Sequence, residues 1–138
     1  MYEVFDHTAD IGLRVRANSL EGLFAEAGRG FLSLVVTNLE AIEPREKIQI
    51  ELSGREQETE YLLFDWLNEL LFLFETKHLL LAKFDVQLSA IGLKATAWGE
   101  PVDTGRHRLE HEVKAITYHG LKVTREADEW LAEVIVDI

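Results

Sequence analysis

The stretch from about Thr59 to Phe74 limits the possible folds of this chain more than any other. Tyr61, Leu62, Leu63, Phe64, Trp66, Leu67, Leu70, Leu71, Phe72, Leu73 and Phe74 fall around nearly the whole circumference of a helix, leaving Asp65, Asn68 and Glu69 as a narrow polar stripe. A helix apolar on almost every side has to be covered from more than one direction. The stretch therefore predicts a central helix, with sheet above and below it, or with sheet on one face and another helix on its flank. Core packing explains its aromatics better than a cofactor pocket does.

Patterns on either side supply the covering layers. Ile11, Leu13 and Val15 alternate with Gly12, Arg14 and Arg16, the period of a half-buried strand, which puts Asp10 at its start. Ser19 is placed to cap a helix in which Leu20, Leu23, Phe24, Ala27, Phe31, Leu34 and Val35 recur at helical spacing. Ile48, Ile50 and Leu52 mark another strand, closed by Ser53-Gly54. From Leu79 onward the pattern predicts strands through Phe84 to Leu88, Leu93 to Ala97, Val113 to Tyr118, Leu121 to Arg125 and Trp130 to Asp137. Turns are expected at Ile91-Gly92 and His119-Gly120, and both prolines, Pro44 and Pro101, in loops. Strand, helix, strand, helix and then several strands joined by short turns predict an α+β, mostly antiparallel single domain over residues 1–138.

Composition removes several functional classes. With no cysteine there is no thiolate nucleophile, disulfide or sulfur-ligated metal, so a metal must sit on oxygen or imidazole. The net charge of −11 repels a phosphate backbone, so direct nucleic-acid binding is not expected. No apolar run approaches the ~20 residues that span a bilayer, and the start of the chain lacks a basic stretch followed by an apolar one, so a cytoplasmic protein with no membrane association is expected.

The chemistry-bearing side chains gather near the two ends of the sequence. Asp6-His7-Thr8-Ala9-Asp10 precedes the first predicted strand, and Asp137 with Ile138 follows the last. If the first and last strands pair, Asp10, Asp137 and, should the chain end at Ile138, its α-carboxylate converge, and such a cluster calls for a hard divalent cation such as Ca²⁺, Mg²⁺ or Mn²⁺. Capping of a turn by Asp10 and a frayed end at Asp137 form the plain alternative. His7, His107, His111 and His119 lie near carboxylates or turns, and Lys114 shares the phase of Glu112, Ile116 and Tyr118, decorating a sheet face or reaching a partner's phosphate or carboxylate. No Ser-His-Asp or Cys-His set stands out, and the glycines match neither a phosphate loop nor a dinucleotide fingerprint.

These same residues resemble the archease family. Asp6-His7-Thr8-Ala9-Asp10-Ile11-Gly12 is similar to its opening signature; Trp98-Gly99-Glu100, His107 and Glu112-Val113-Lys114-Ala115-Ile116-Thr117-Tyr118-His119 to its central block; Val136-Asp137-Ile138 to its closing Asp-Ile. The resemblance spans essentially the whole chain. It implies two helices packed between β-sheets, and a non-catalytic accessory protein of the RtcB-type tRNA-splicing RNA ligase, which joins RNA ends with GTP and Mn²⁺ through a guanylylated histidine. Such a protein promotes guanylylation, permits multiple turnover and broadens nucleotide triphosphate use. The resemblance also implies metal ligation by Asp10, Asp137 and Ile138, and Asp6, His7, His107 and Lys114 are candidates for partner contact. Two rivals predict different behaviour: a metal-dependent phosphoester hydrolase turns over without a partner, and a chaperone-like module exposes a sizeable apolar patch.

Overall fold

Cross-strand pairing organises the chain into two antiparallel sheets with both helices between them. The computed structural model describes every residue except Thr8, Ala9 and Glu56. In chain order the elements are β1 (Tyr2–His7), β2 (Asp10–Ala17), α1 (Leu20–Val35), a 3-10 turn at Leu39–Ala41, β3 (Glu46–Ser53), α2 (Thr59–Lys77), β4 (Leu79–Ser89), β5 (Gly92–Pro101), β6 (Ala115–Ile116), β7 (Lys122–Glu126) and β8 (Glu129–Asp137). One sheet runs β1-β2-β8, with β6 and β7 both on the far edge of β8; the other runs β3-β5-β4.

Local chemistry starts and stops the helices. The Gly22 N–H donates to the Ser19 hydroxyl at 3.0 Å, giving α1 its N-cap. His78 closes α2 in a left-handed conformation with φ of 54°, and its N–H donates to the Phe74 carbonyl at 2.9 Å. Leu13, Val15, Ala132 and Val134 reach the core from one sheet, Leu80 and Ala97 from the other, and Phe24, Phe31, Leu63, Trp66 and Leu67 fill the space between. The buried Trp66 indole donates to the Phe24 carbonyl at 2.8 Å, satisfying the polar atom of the largest core side chain and tying α2 to α1. Among the described residues, no helix is long and apolar enough to cross a membrane.

Several elements differ from expectation. β1 precedes the predicted first strand and pairs with β2 as a hairpin. Of the strand expected over Val113 to Tyr118 only Ala115–Ile116 forms, because Val113 and Ile116 are the buried pair and lie three residues apart, outside a period of two. Lys114 therefore does not share one sheet face with Glu112, Ile116 and Tyr118. Pro101 is the last residue of β5, opposite Leu79, where a sheet end tolerates the missing N–H. The second helix continues past Phe74 to Lys77, and one flank of it, with Tyr61 and Phe72, stays uncovered.

Gly99 sits where β5 crosses a register shift between Leu81 and Lys83, and a Cβ there would lie 1.8 Å from the Leu80 carbonyl oxygen. Backbone cannot move aside as a flexible side chain can. Gly99→Ala is expected to cost about 3 kcal/mol or more, read as a lowered midpoint in chemical denaturation.

Candidate functional site

β2 and β8 run antiparallel with Ile11 opposite Val136, Gly12 opposite Ile135 and Leu13 opposite Val134. Leu13, Val134 and Val136 point into the core, so the intervening residues face outward. One more step of the same register sets Asp10 across from Asp137, both on the outer face. On the other side His7 lies opposite Asp10, and Ala115 lies opposite Asp137. The row His7, Asp10, Asp137, Ala115 thus crosses β1, β2, β8 and β6 at one end of the sheet.

Directly opposed side chains in such a ladder have Cβ atoms about 5 Å apart, close enough for like charges to repel. His7 Nδ1 stands 3.9 Å from Asp10 Oδ2, beyond hydrogen-bond reach. That nitrogen is buried and has no hydrogen-bond partner among the described residues. The His119 ring packs edge-on against His7 with centroids 5.3 Å apart, bringing the last residue of the central block to the same row. The Lys114 N–H donates to the Asp137 carbonyl at 2.8 Å, while its exposed ammonium makes no ion pair among the described residues. Asp6 is exposed beside the row, opposite Ile11. Thr8 and Ala9 of the opening segment lie outside the described residues.

The donors are of the kind a divalent cation takes, and the register puts them on adjacent strands. Carboxylate oxygens are hard ligands, and two aspartates opposed on adjacent strands are relieved by a positive ion between them. No three His, Asp or Glu side chains among the described residues already form a closed cage. An ion held by Asp10 and Asp137 would draw its remaining ligands from water or from the adjoining Ile138.

Gly12 of the opening signature has a packing role. The Phe5 ring lies over it from the opposite position on β1, a Cβ would fall 2.1 Å from that ring, and the Arg14 guanidinium lies 4.7 Å from the ring centroid. The next residue to Asp10 but one is therefore bare so that β1 can close on β2.

His107 belongs to a different cluster. Both it and Glu100 are only 2% exposed. The Asp103 N–H donates to His107 Nδ1 at 2.9 Å, which assigns the ring proton to Nε2, 3.0 Å from a Glu100 oxygen. Glu100 also accepts from the Glu43 N–H at 2.7 Å and from Arg106, whose guanidinium further reaches Asp103 and the Ala41 carbonyl. Burial works to raise the Glu100 pKa, but the hydrogen bonds from Arg106, the Glu43 N–H and His107 outweigh it and hold the carboxyl down at about 2. The imidazole is thus a strut for the loop from Val102 to Lys114, and it presents no surface to a partner. Spacing alone gives Glu100 and Arg106 no role: the bonds among Glu100, Asp103, Arg106 and His107 form in an irregular loop with no period, and Ala41 and Glu43 join them from a remote segment.

An α+β domain with an outward-facing carboxylate pair at adjoining strand ends is the class of protein that fold and site define. A model of the archease protein family matches residues 2–138. The archease of Methanopyrus kandleri is 40% identical, with 99% of each chain covered, and that of Pyrococcus abyssi is 37% identical, covering 99% of this chain and 98% of that one. Among solved structures, a Methanobacterium thermoautotrophicum protein studied in solution superposes with a TM-score of 0.85 at 31% identity, covering 99% of this chain and 98% of that one. A Thermotoga maritima archease, described as a possible chaperone, superposes at 0.63 and 27% identity, covering 100% and 98%. This chain belongs to the archease family.

The Glu100 cluster has a pH signature. A carboxyl whose folded pKa lies below its ordinary value of 4.5 adds stability that is complete above 4.5 and is lost as pH falls toward about 2. Glu100→Gln should remove that part of the acid dependence and cost about 3 kcal/mol at neutral pH, because Arg106 and His107 lose their charged acceptor. Thermal melts of both proteins from pH 7 to pH 2 measure this.

Proposed function

We propose that this protein is an accessory activator of an RtcB-type tRNA-splicing RNA ligase, promoting its guanylylation with GTP and its repeated turnover and widening its nucleotide triphosphate use, without chemistry of its own. The observation that supports this most is the placement of Asp10 and Asp137 side by side on the outer face of two central strands. A projecting acidic edge complements a positively charged, metal-containing active site on a partner, and such complementarity speeds encounter and sets orientation. A divalent ion at this edge would supply charge neutralisation between the two carboxylates.

The chain's own residues divide the remaining work. Asp10 and Asp137 present oxygens at the contact, the Lys114 N–H holds the Asp137 backbone in place, and the Lys114 ammonium is free to meet a phosphate or carboxylate of the partner. Family membership, and the description of the Thermotoga maritima relative as a possible chaperone, support the coarser form of this reading, a protein that acts on another protein.

Asp10→Ala and Asp137→Ala are each expected to reduce stimulation of ligase guanylylation by tenfold or more, measured as labelled GMP transferred to purified ligase. Stimulation equal to wild type by both folded variants would count against the proposal. The same pair makes a separate stability prediction. With a chelator present, Asp137→Asn should melt at or slightly above the wild type, by up to about 0.5 kcal/mol, because the opposed charges no longer repel. Added divalent ion should raise the wild-type melting temperature more than that of the variant.

A further inference from the structure

We propose that the uncovered flank of α2 is a second docking surface, built for a cationic segment of a partner protein that carries arginine or lysine among apolar side chains. Tyr61, Asp65, Asn68, Glu69, Phe72 and Glu75 follow one another at helical spacing on this flank. Tyr61 is 57% exposed and Phe72 is 55% exposed, although α2 is otherwise a core helix. Tyr118, 54% exposed on the loop after β6, extends the aromatic surface: its ring meets Tyr61 edge-on at 5.7 Å and lies over Phe64 at 3.9 Å. Large aromatics gathered on one exposed face mark an interaction surface.

Charge decides what that surface accepts. Asp65, Glu69 and Glu75 lie among the aromatics, and none of the three pairs with a cation among the described residues. A cleft of about 590 Å³ between this flank and Leu52 of β3 is lined by all three carboxylates and by Phe72, with Lys114 the single cation among its described walls. A guanidinium or ammonium entering there gains the carboxylates while its aliphatic stem covers Phe72, and Tyr61 and Tyr118 extend the flank beyond the cleft for the apolar side chains of the segment. A second copy of this chain would bring the same carboxylates against each other under a net charge of −11, and a phosphate backbone would be repelled. Assigning the segment to the ligase rests on the function proposed above; the chemistry of the surface does not.

The test uses the full chain, two probes and one set of variants. The probes are an amphipathic helical peptide with arginines on its polar face and the same peptide with those arginines replaced by glutamine. The variants are Tyr61→Ala with Phe72→Ser, and Asp65→Lys with Glu69→Lys, at exposed positions or, for Glu69, a half-buried one, and checked for unchanged thermal melts. Calorimetry is expected to show the arginine peptide binding wild type at least tenfold tighter than the glutamine peptide, with each double variant losing tenfold or more. Amide shifts in NMR spectra should fall on residues 61–76 and 117–119. Variants that bind within twofold of wild type, or equal binding of both peptides, would overturn the proposal, the second outcome pointing to unselective capture of apolar segments. In a parallel arm, the lysine double variant should weaken ligase binding while leaving divalent-ion affinity at Asp10 and Asp137 unchanged. If wild type binds the arginine peptide as expected but neither binds nor stimulates the ligase, the assigned function fails and the surface stands.

Discussion

Pairing of β2 with β8 is the contact on which the rest depends. Side chains in a strand alternate faces, so a slip of one residue would turn Leu13, Val15, Val134 and Val136 outward and bury Arg14 and Glu133. That penalty locks the register. Because Asp10 and Asp137 lie one step beyond the last buried pair, the demand of the core for its aliphatic residues also decides that the two carboxylates face solvent together. The site is positioned by hydrophobic burial elsewhere in the same two strands, and its own charges oppose the arrangement.

An unfavourable juxtaposition of this kind persists only where the surroundings over-determine it. β8 is clamped on both edges, by β2 on one side and by β6 and β7 on the other, and the Lys114 N–H bonds the Asp137 carbonyl directly. Behind β6, the loop from Val102 onward is pinned by Glu100, Arg106 and His107, whose bonds reach back to the segment between α1 and β3. The central block of the sequence therefore serves two ends. Trp98-Gly99-Glu100 and His107 anchor the loop, and Lys114 with its neighbours meets the strand ends.

Elements with strong periodicity were legible in the sequence: both helices, the Ser19 cap, β2, β3, β4, β5 and β8 lie close to where apolar spacing puts them. What stayed hidden was set by partners that apolar spacing does not show. β1 has Glu3, Val4 and Asp6 exposed, as an edge strand held by backbone bonds to β2 has no need of a fully apolar face. β6 is two residues long because β8 supplies what its neighbours lack, with the Lys114 and Thr117 N–H groups bonding Asp137 and Ile135 carbonyls. For the candidate site, the aspartates could be nominated from their positions at strand ends, whereas their opposition required the register. The role of Glu100 required knowing that Glu43, 57 residues away, and Arg106 converge on it. The polar stripe of Asp65, Asn68 and Glu69 marked the open flank of α2, but its width was concealed, since Tyr61 and Phe72 look like core until the neighbouring strands are in place.

The strand order also bears on how the protein is made. β2 leaves the ribosome more than a hundred residues ahead of β8, the strand that must lie beside it, so until β8 emerges the β1-β2 hairpin carries an unpaired edge. Closure of that sheet waits for β8 to emerge, and so high a separation between contacting segments slows the step. Nascent chains stalled before Glu129 should therefore be the species that holding factors and proteases encounter.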